Sequence, residues 1–195
     1  MARSTAASSY WGSGWREGGS SVRVPFLLAA VLALGESPGQ AAASRQPDQE
    51  PPQEVEVVGE ADFRWRLRTL DGSPTTLEAF QGRVLFINMW ATWCGPCVQE
   101  LASIQALVES MKDSGVVFLL VSPEDPEPVL RFLRVHGYDL PVYLEVQEMP
   151  PAFGLRALPT TFAVDRQGRI VLRHRGAADW DQDAVRSFLL ALVGG

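Results

Sequence analysis

Two cysteines separated by two residues stand where a buried strand should end and a helix should begin. Residues 84–90 form a nearly continuous apolar run, which is typical of a strand covered on both faces of a sheet. The sequence Trp-Cys-Gly-Pro-Cys follows at 93–97, and Pro96 favours a helix start because the first turn does not need its missing N–H. This junction predicts a domain in which strands and helices alternate.

The rest of the chain continues the alternating pattern. Apolar runs and period-two alternation predict strands at 63–67, 84–90, 116–121, 160–164 and 170–172. Apolar stripes predict helices from Pro96 to about Met111, around 129–133 with an end at Gly137, and around 185–192. A right-handed crossover makes the first two core strands parallel, and the last two strands form an antiparallel hairpin. The fold class is therefore α/β, with a central mixed sheet flanked by helices.

Composition excludes several classes of protein. The chain has 195 residues, 46% of them hydrophobic, so it can bury a core. Its 17 basic and 23 acidic residues give a net charge of −6, which argues against binding nucleic acid by neutralising phosphates. Two cysteines and two histidines are too few for a four-thiolate or histidine-rich metal site. We therefore predict no metal site. His174 lies near the end of a predicted strand, and we expect it at a solvated strand edge.

The amino-terminal part of the chain differs from the rest. Residues 1–43 contain arginines, then an apolar run of 11 residues at 24–34, then small residues up to Ala43. The run is shorter than the roughly 20 residues of a transmembrane helix, and this order is typical of a secretory signal peptide. We expect cleavage after Ala43; an uncleaved signal anchor and a short buried helix are the alternatives. Residues 44–60, rich in proline and acids, are predicted to be a flexible linker to a domain at 61–195.

The position of Cys94 at a helix start gives it a chemical role. Free N–H groups and the helix dipole stabilise an anion there, so the thiolate of Cys94 is favoured. Thiolates attack disulfides, and Cys97, one turn into the helix, is placed to attack the resulting mixed disulfide. The alternatives are half of a zinc site, which lacks a second ligand pair, and an inert structural disulfide. The strand-to-helix position and the flanking tryptophan favour redox chemistry.

Two segments resemble the thioredoxin superfamily. Residues 86–97 resemble its active-site strand and helix start, and residues 157–162, Ala-Leu-Pro-Thr-Thr-Phe, resemble its cis-proline segment. Within the superfamily, the chain is most similar to the TlpA/ResA-like thiol–disulfide oxidoreductases. That group usually has Asn where Asn88 stands and Glu where Glu100 stands, and it carries an extra segment that corresponds to 124–154. Ala102 departs from the pattern, because the group often has a helix-kinking proline there.

The resemblance implies a thioredoxin-like fold with an amino-terminal strand extension and an insertion after the second core strand. It implies that Cys94, Cys97 and Glu100 are catalytic, with Glu100 exchanging the proton of Cys97. The substrate-binding residues that it implies are Trp93, Gly95, Pro96, Leu158 and Pro159, with a cis bond before Pro159. No cofactor is expected beyond the redox-active disulfide between the two cysteines.

The expected function is that of an exported, periplasmic or otherwise extracytoplasmic, thiol–disulfide oxidoreductase. It would reduce disulfides in exported proteins, with apocytochrome c as the substrate class that the family suggests. A membrane thiol carrier would supply the electrons, and residues 24–34 would anchor the chain if they are not removed. An oxidising or isomerising enzyme is one alternative. A thioredoxin-fold chaperone or binding module whose disulfide is never turned over is another.

Overall fold

A computed structural model describes residues 57–154 and 157–195 of the chain. The predicted export segment and most of the predicted linker lie outside these residues. Within them the strands are β1 (Gly59–Glu60), β2 (Arg66–Thr69), β3 (Pro74–Thr76), β4 (Val84–Met89), β5 (Val116–Ser122), β6 (Val142–Glu145), β7 (Thr160–Val164) and β8 (Arg169–Arg175). The α-helices are α1 (Gly95–Ser110), α2 (Pro126–His136) and α3 (Asp183–Gly194), and short 3-10 helices cover Leu77–Phe80 and Pro151–Phe153.

The eight strands form one mixed sheet in the order β1-β8-β7-β4-β5-β6-β2-β3. Strands β4, β5 and β6 are parallel neighbours, and all other pairs are antiparallel. The predicted parallel core pair and the carboxy-terminal hairpin are confirmed. Gly59 and Glu60, assigned to the linker from the sequence, form β1 and pair with Ile170 and Arg169 of β8.

Strand β4 lies inside the sheet and is buried on both faces, as its sequence predicts. Its alternate residues belong to two apolar clusters. The first, which we call the cysteine cluster, contains Phe86, both cysteines and buried residues of α1, α2 and α3. The second, the opposite cluster, contains Ile87 together with residues of the amino-terminal strands. Alternation along a strand thus places the cysteine motif above one face of the sheet only.

The predicted strand at 63–67 is wrong in its boundaries. The carboxylate of Asp62 accepts hydrogen bonds from the backbone N–H and the guanidinium of Arg64, at 2.9–3.0 Å, and closes a turn. This local bonding competes with strand pairing, so β2 starts only at Arg66. Phe63 instead packs over Gly168, whose φ of +85° and close contact with the ring suit a residue without a Cβ.

Three strands escaped prediction. Strand β1 is two residues long, β3 is the polar segment Pro-Thr-Thr, and β6 has four residues. Such short segments carry too few residues for a clear period-two signal. Strand β6 lies in the predicted insertion at 124–154, between α2 and a 3-10 helix.

The helix after the cysteine motif begins one residue earlier than predicted. Gly95 is its first residue and Cys94 its N-cap, and the helix continues through Ala102 to Ser110. Gly137 ends α2 in the left-handed conformation with φ 71°, as predicted for a C-terminal glycine. In the part of the chain that the structure describes, no helix is long and apolar enough to cross a membrane.

Candidate active site

The two cysteines lie in the first turn of α1 and are joined by a disulfide. Cys94 caps the helix in an extended conformation, and its Sγ accepts the backbone N–H of Cys97 at 3.3 Å. Cys94 keeps 7% of its surface exposed, whereas Cys97 has none. A thiolate at Cys94 would therefore meet backbone donors and the positive end of the helix dipole, which stabilise it.

The surface around Cys94 is apolar and open. Trp93 is 71% exposed, which is unusual for a tryptophan. A groove of about 580 Å³ is lined by Trp93, Cys94, Pro96, Pro123, Ala157 and Leu158. Gly95 is exposed, and no atom lies within 4 Å of the position where a Cβ would stand. The turn therefore leaves room above the disulfide for another polypeptide.

The segment opposite the cysteine turn contains Leu158 and Pro159. Their peptide bond is cis, as predicted. Leu158 is half-buried and lines the groove, while Pro159 is buried. The carbonyl of Pro159 accepts the N–H of Gly176 at 3.0 Å, which ties this segment to the end of β8. Of the predicted substrate-binding residues, Trp93, Pro96 and Leu158 thus line the groove together with Cys94, whereas Pro159 and Gly95 are not among its lining residues.

Glu100 is a buried carboxylate below the cysteines. It is 2% exposed and is the sixth residue of α1, so it is not a helix-start acid that interacts with the first turn. One oxygen, Oε1, accepts the side-chain N–H of Asn88 at 2.8 Å. The other, Oε2, accepts the backbone N–H of Ala178 at 3.0 Å and the indole N–H of Trp180 at 2.9 Å. Three donors compensate for the loss of water around a buried negative charge.

Comparison with known proteins assigns this chain to a family. Residues 47–189 match the Redoxin family. The chain belongs to the Redoxin family. It is 32% identical over 121 residues to the thiol-disulfide oxidoreductase ResA of Halalkalibacterium halodurans, a match that covers 61% of this chain and 69% of the relative. It is 26% identical over 162 residues to ResA of Bacillus cereus, which covers 82% of this chain and 90% of that relative.

Solved structures that are similar to this chain agree with its assignment to the Redoxin family. A putative thiol:disulfide interchange protein DsbE from Chlorobium tepidum superposes with a TM-score of 0.61 at 25% identity, over 72% of this chain and all of that one. A putative thiol-disulfide oxidoreductase from Bacteroides vulgatus gives 0.59 at 25% identity, over 72% and 99%. The protein is a thiol–disulfide oxidoreductase with a thioredoxin-like fold, and its structure contains a disulfide between Cys94 and Cys97.

The partners of Glu100 that lie in the loop between β8 and α3 were not predicted from the sequence. Trp180 and Ala178 follow Glu100 by about 80 residues, so no spacing rule relates them to it. A tryptophan in an otherwise polar stretch between a strand and a helix was the only signal. The structure also corrects the expectation for His174: its ring is half-buried and packs edge-on against Trp180, with the centroids 5.4 Å apart.

Glu124 is a second acidic residue that sequence reasoning did not single out. Its carboxylate accepts the backbone N–H and the hydroxyl of Thr92, each at 2.7 Å, and the hydroxyl of Ser122 at 3.1 Å. Thr92 lies two residues before Cys94, so these bonds fix the cysteine turn to the loop after β5.

Within residues 57–154 and 157–195, no group of three histidine, cysteine or acidic side chains is arranged to hold a metal ion.

Proposed function

We propose that this protein is exported and reduces disulfide bonds in extracytoplasmic proteins. The observation that carries the proposal is the contrast between the two sulfurs, with Cys94 at the edge of an apolar groove and Cys97 buried behind it. A partially exposed sulfur at a helix start is the arrangement of an attacking thiolate. The Gly95-Pro96 spacer, which thioredoxin shares, supports the reducing direction, since thioredoxin is a strong reductant.

The reaction begins with the reduced protein. The Cys94 thiolate attacks one sulfur of a substrate disulfide, forms a mixed disulfide and releases the other substrate sulfur as a thiolate. Cys97 then attacks Cys94 Sγ, so that the bond between the two cysteines forms and the bond to the substrate breaks. The substrate leaves with two additional electrons, and the protein is left with the Cys94–Cys97 disulfide. A membrane thiol carrier is the proposed donor that reduces this disulfide again.

Glu100 is the proposed acceptor of the proton that Cys97 loses before it attacks. Cys97 is fully buried and one helical turn from Glu100, so bulk water has little access to its thiol. Asn88, at the equivalent place of the buried Asp in cytoplasmic thioredoxins, cannot titrate. A carboxylate held by fixed donors one helical turn from a buried thiol is suited to general base catalysis.

The groove supports binding of an extended substrate segment. Its lining is apolar, and Trp93 offers a large exposed ring beside Cys94. Trp93, Gly95 and Pro96 are proposed to contact the substrate from the cysteine side, with Leu158 and Pro159 on the other. Apocytochrome c, which presents a pair of cysteines in an unfolded chain, is the proposed substrate class.

Export is proposed on the amino-terminal sequence. If residues 1–43 are a signal peptide, the mature protein in the extracytoplasmic fraction begins near Ser44; if residues 24–34 are an anchor, the protein sediments with membranes. Amino-terminal sequencing of the fractionated protein distinguishes these results. Recovery of the chain from Met1 in the cytoplasm would contradict export.

Trapping of mixed disulfides tests the reductase. A Cys97→Ser variant should accumulate disulfide-linked exported proteins in cells because the resolving sulfur is missing, and the matched Cys94→Ser variant should not. The captured partners, identified by mass spectrometry, should carry cysteine pairs. A reduction potential close to that of oxidising disulfide enzymes would instead favour the oxidase or isomerase. Full function of the Cys94→Ser, Cys97→Ser double variant would favour a binding module.

A further inference from the structure

Trp180 connects the buried carboxylate of Glu100 to the loop between β8 and α3. Its side chain is 4% exposed, and its indole N–H points at Glu100 Oε2 over 2.9 Å. The ring is held edge-on between Phe86, at a centroid distance of 5.3 Å, and His174, at 5.4 Å. Aromatic contacts of this geometry fix the ring plane, so the N–H donor is oriented before any reaction begins.

The backbone around Trp180 is bound to α1 as well. The N–H of Ala178 donates to Glu100 Oε2, and the N–H of Trp180 donates to Ser103 Oγ at 3.1 Å. The Ser103 hydroxyl in turn donates to the backbone carbonyl of Glu100 at 2.8 Å. Two of the three donors to the carboxylate therefore come from one loop, and both act on the same oxygen.

We propose that Trp180 is a positioning residue for proton transfer from Cys97, acting through the carboxylate of Glu100. This inference rests on the proposed role of Glu100 as proton acceptor. By donating to Oε2, the indole orients the carboxylate and favours its charged form. Without the indole, Oε2 would keep only one of its two donors, the backbone N–H of Ala178.

The step in question is the resolving attack. The Cys97 proton passes to the Glu100 carboxylate, a bond forms between Cys97 Sγ and Cys94 Sγ, and the other sulfur on Cys94 leaves as a thiolate with its electron pair. The titratable groups around this site are Cys97 on α1, His174 on β8 and Asp179 in the loop. His174 contacts the indole, and Asp179 is exposed, its carboxylate accepting the N–H of Asp181.

The test uses a chromogenic aryl disulfide as the substrate. Attack by Cys94 releases one coloured aryl thiolate and leaves the other aryl sulfur bonded to Cys94. Attack by Cys97 then releases the second aryl thiolate, so the second phase of colour release gives the resolving rate at each pH. Trp180→Phe keeps an aromatic ring between Phe86 and His174 but removes the N–H donor. We expect the acid limb of its rate profile to move up by about one pH unit, as for loss of one charge-assisted hydrogen bond.

Trp65→Phe is the matched control. Trp65 is fully buried in the opposite cluster, and its indole N–H donates to the carbonyl of Gln147 at 3.2 Å. Trp65→Phe therefore loses an indole hydrogen bond to a neutral carbonyl, in the cluster that does not contain the cysteines, and should keep the wild-type acid limb. Ser103→Ala provides a second route if Trp180→Phe folds poorly. It removes one anchor of the loop and leaves the indole in place, so a smaller shift in the same direction is expected.

Glu100→Gln separates the two proposals. It should abolish the acid limb that depends on the carboxylate and slow resolution. If Glu100→Gln changes the profile while Trp180→Phe and Ser103→Ala keep it at the wild-type position, the role of Trp180 is overturned and that of Glu100 stands. If Glu100→Gln also keeps the wild-type profile and rate, the proposed proton acceptor is wrong, and the role of Trp180 fails with it.

Discussion

Cys94 and Cys97 are chemically unequal although they share one helical turn. Cys94 is the N-cap of α1 and lines the groove, while Cys97 is fully buried in the cysteine cluster. In the reduced protein we expect iodoacetamide to modify Cys94 much faster than Cys97 at neutral pH, because only Cys94 combines access with stabilisation of its thiolate. Mass spectrometry of partly alkylated protein measures the two rates. Equal rates would contradict the assignment of attacking and resolving sulfurs.

Asn88 places a neutral side chain against Glu100. Its amide donates to Glu100 and, at 2.9 Å, to Thr161 Oγ1. Asn88→Asp would bring two carboxyl groups into contact, and only one of them could ionise. The folded state would then hold a proton that the unfolded state releases above about pH 4, so stability would fall as pH rises.

We expect the free energy of unfolding of Asn88→Asp to be about 3–5 kcal/mol below that of the wild type at neutral pH, the usual cost of an uncompensated buried charge. The deficit should shrink towards pH 4. Urea unfolding at two pH values measures both effects. Asn88→Ala is the control, since it removes the amide without adding a carboxyl group, and its deficit should grow less between these pH values than that of Asn88→Asp. A pH-independent deficit in Asn88→Asp would disprove the argument.

At the scale of elements, Glu124 joins the turn before α1 to the loop before α2. Glu124→Ala would leave the half-buried N–H of Thr92 without its acceptor, and we expect a loss of about 1–3 kcal/mol in the free energy of unfolding. Glu124→Gln should recover part of this loss, because an amide can still accept that N–H. Glu127→Ala on α2 is the matched control, since that acid is exposed and pairs with exposed Arg131. Chemical denaturation of the three variants compares them, and equal losses in Glu124→Ala and Glu127→Ala would refute the role of Glu124.

The elements that could be predicted from the sequence are those with a strong local signal. Strand β4 is a long apolar run, and α2 ends at a glycine in the left-handed conformation. Strands β1 and β3 are short and polar, and they exist because of the partners beside them at the sheet edges. The same contrast between local signals and tertiary contacts applies to the candidate active site. The cysteine motif is local and was found, whereas the bond between Glu100 and Trp180 depends on tertiary packing and has no counterpart in spacing.

At the scale of the molecule, the sheet separates the cysteine cluster from the opposite cluster. Leu77 is fully buried in the opposite cluster, and Leu101 is fully buried in the cysteine cluster just after the motif. Each change to alanine should lower the free energy of unfolding by about 2–5 kcal/mol. Only Leu101→Ala should also alter the alkylation rate of Cys94. Urea unfolding and thiol alkylation measure the two effects, and a changed rate in Leu77→Ala would contradict this separation.

The two outermost strands of the sheet, β1 and β3, come from one short stretch of the chain. Strand β1 pairs with the first two residues of β8, and β2, which carries β3, pairs with β6, so residues 57–76 form both outer ends of the sheet. Exposed edges invite pairing with other chains. A polypeptide synthesised or exported from its amino terminus presents β1 first, but the partner of β1 is the last strand to emerge. At this edge, β1 therefore stays unpaired through most of synthesis or export, and it can join the sheet only after β8 has emerged.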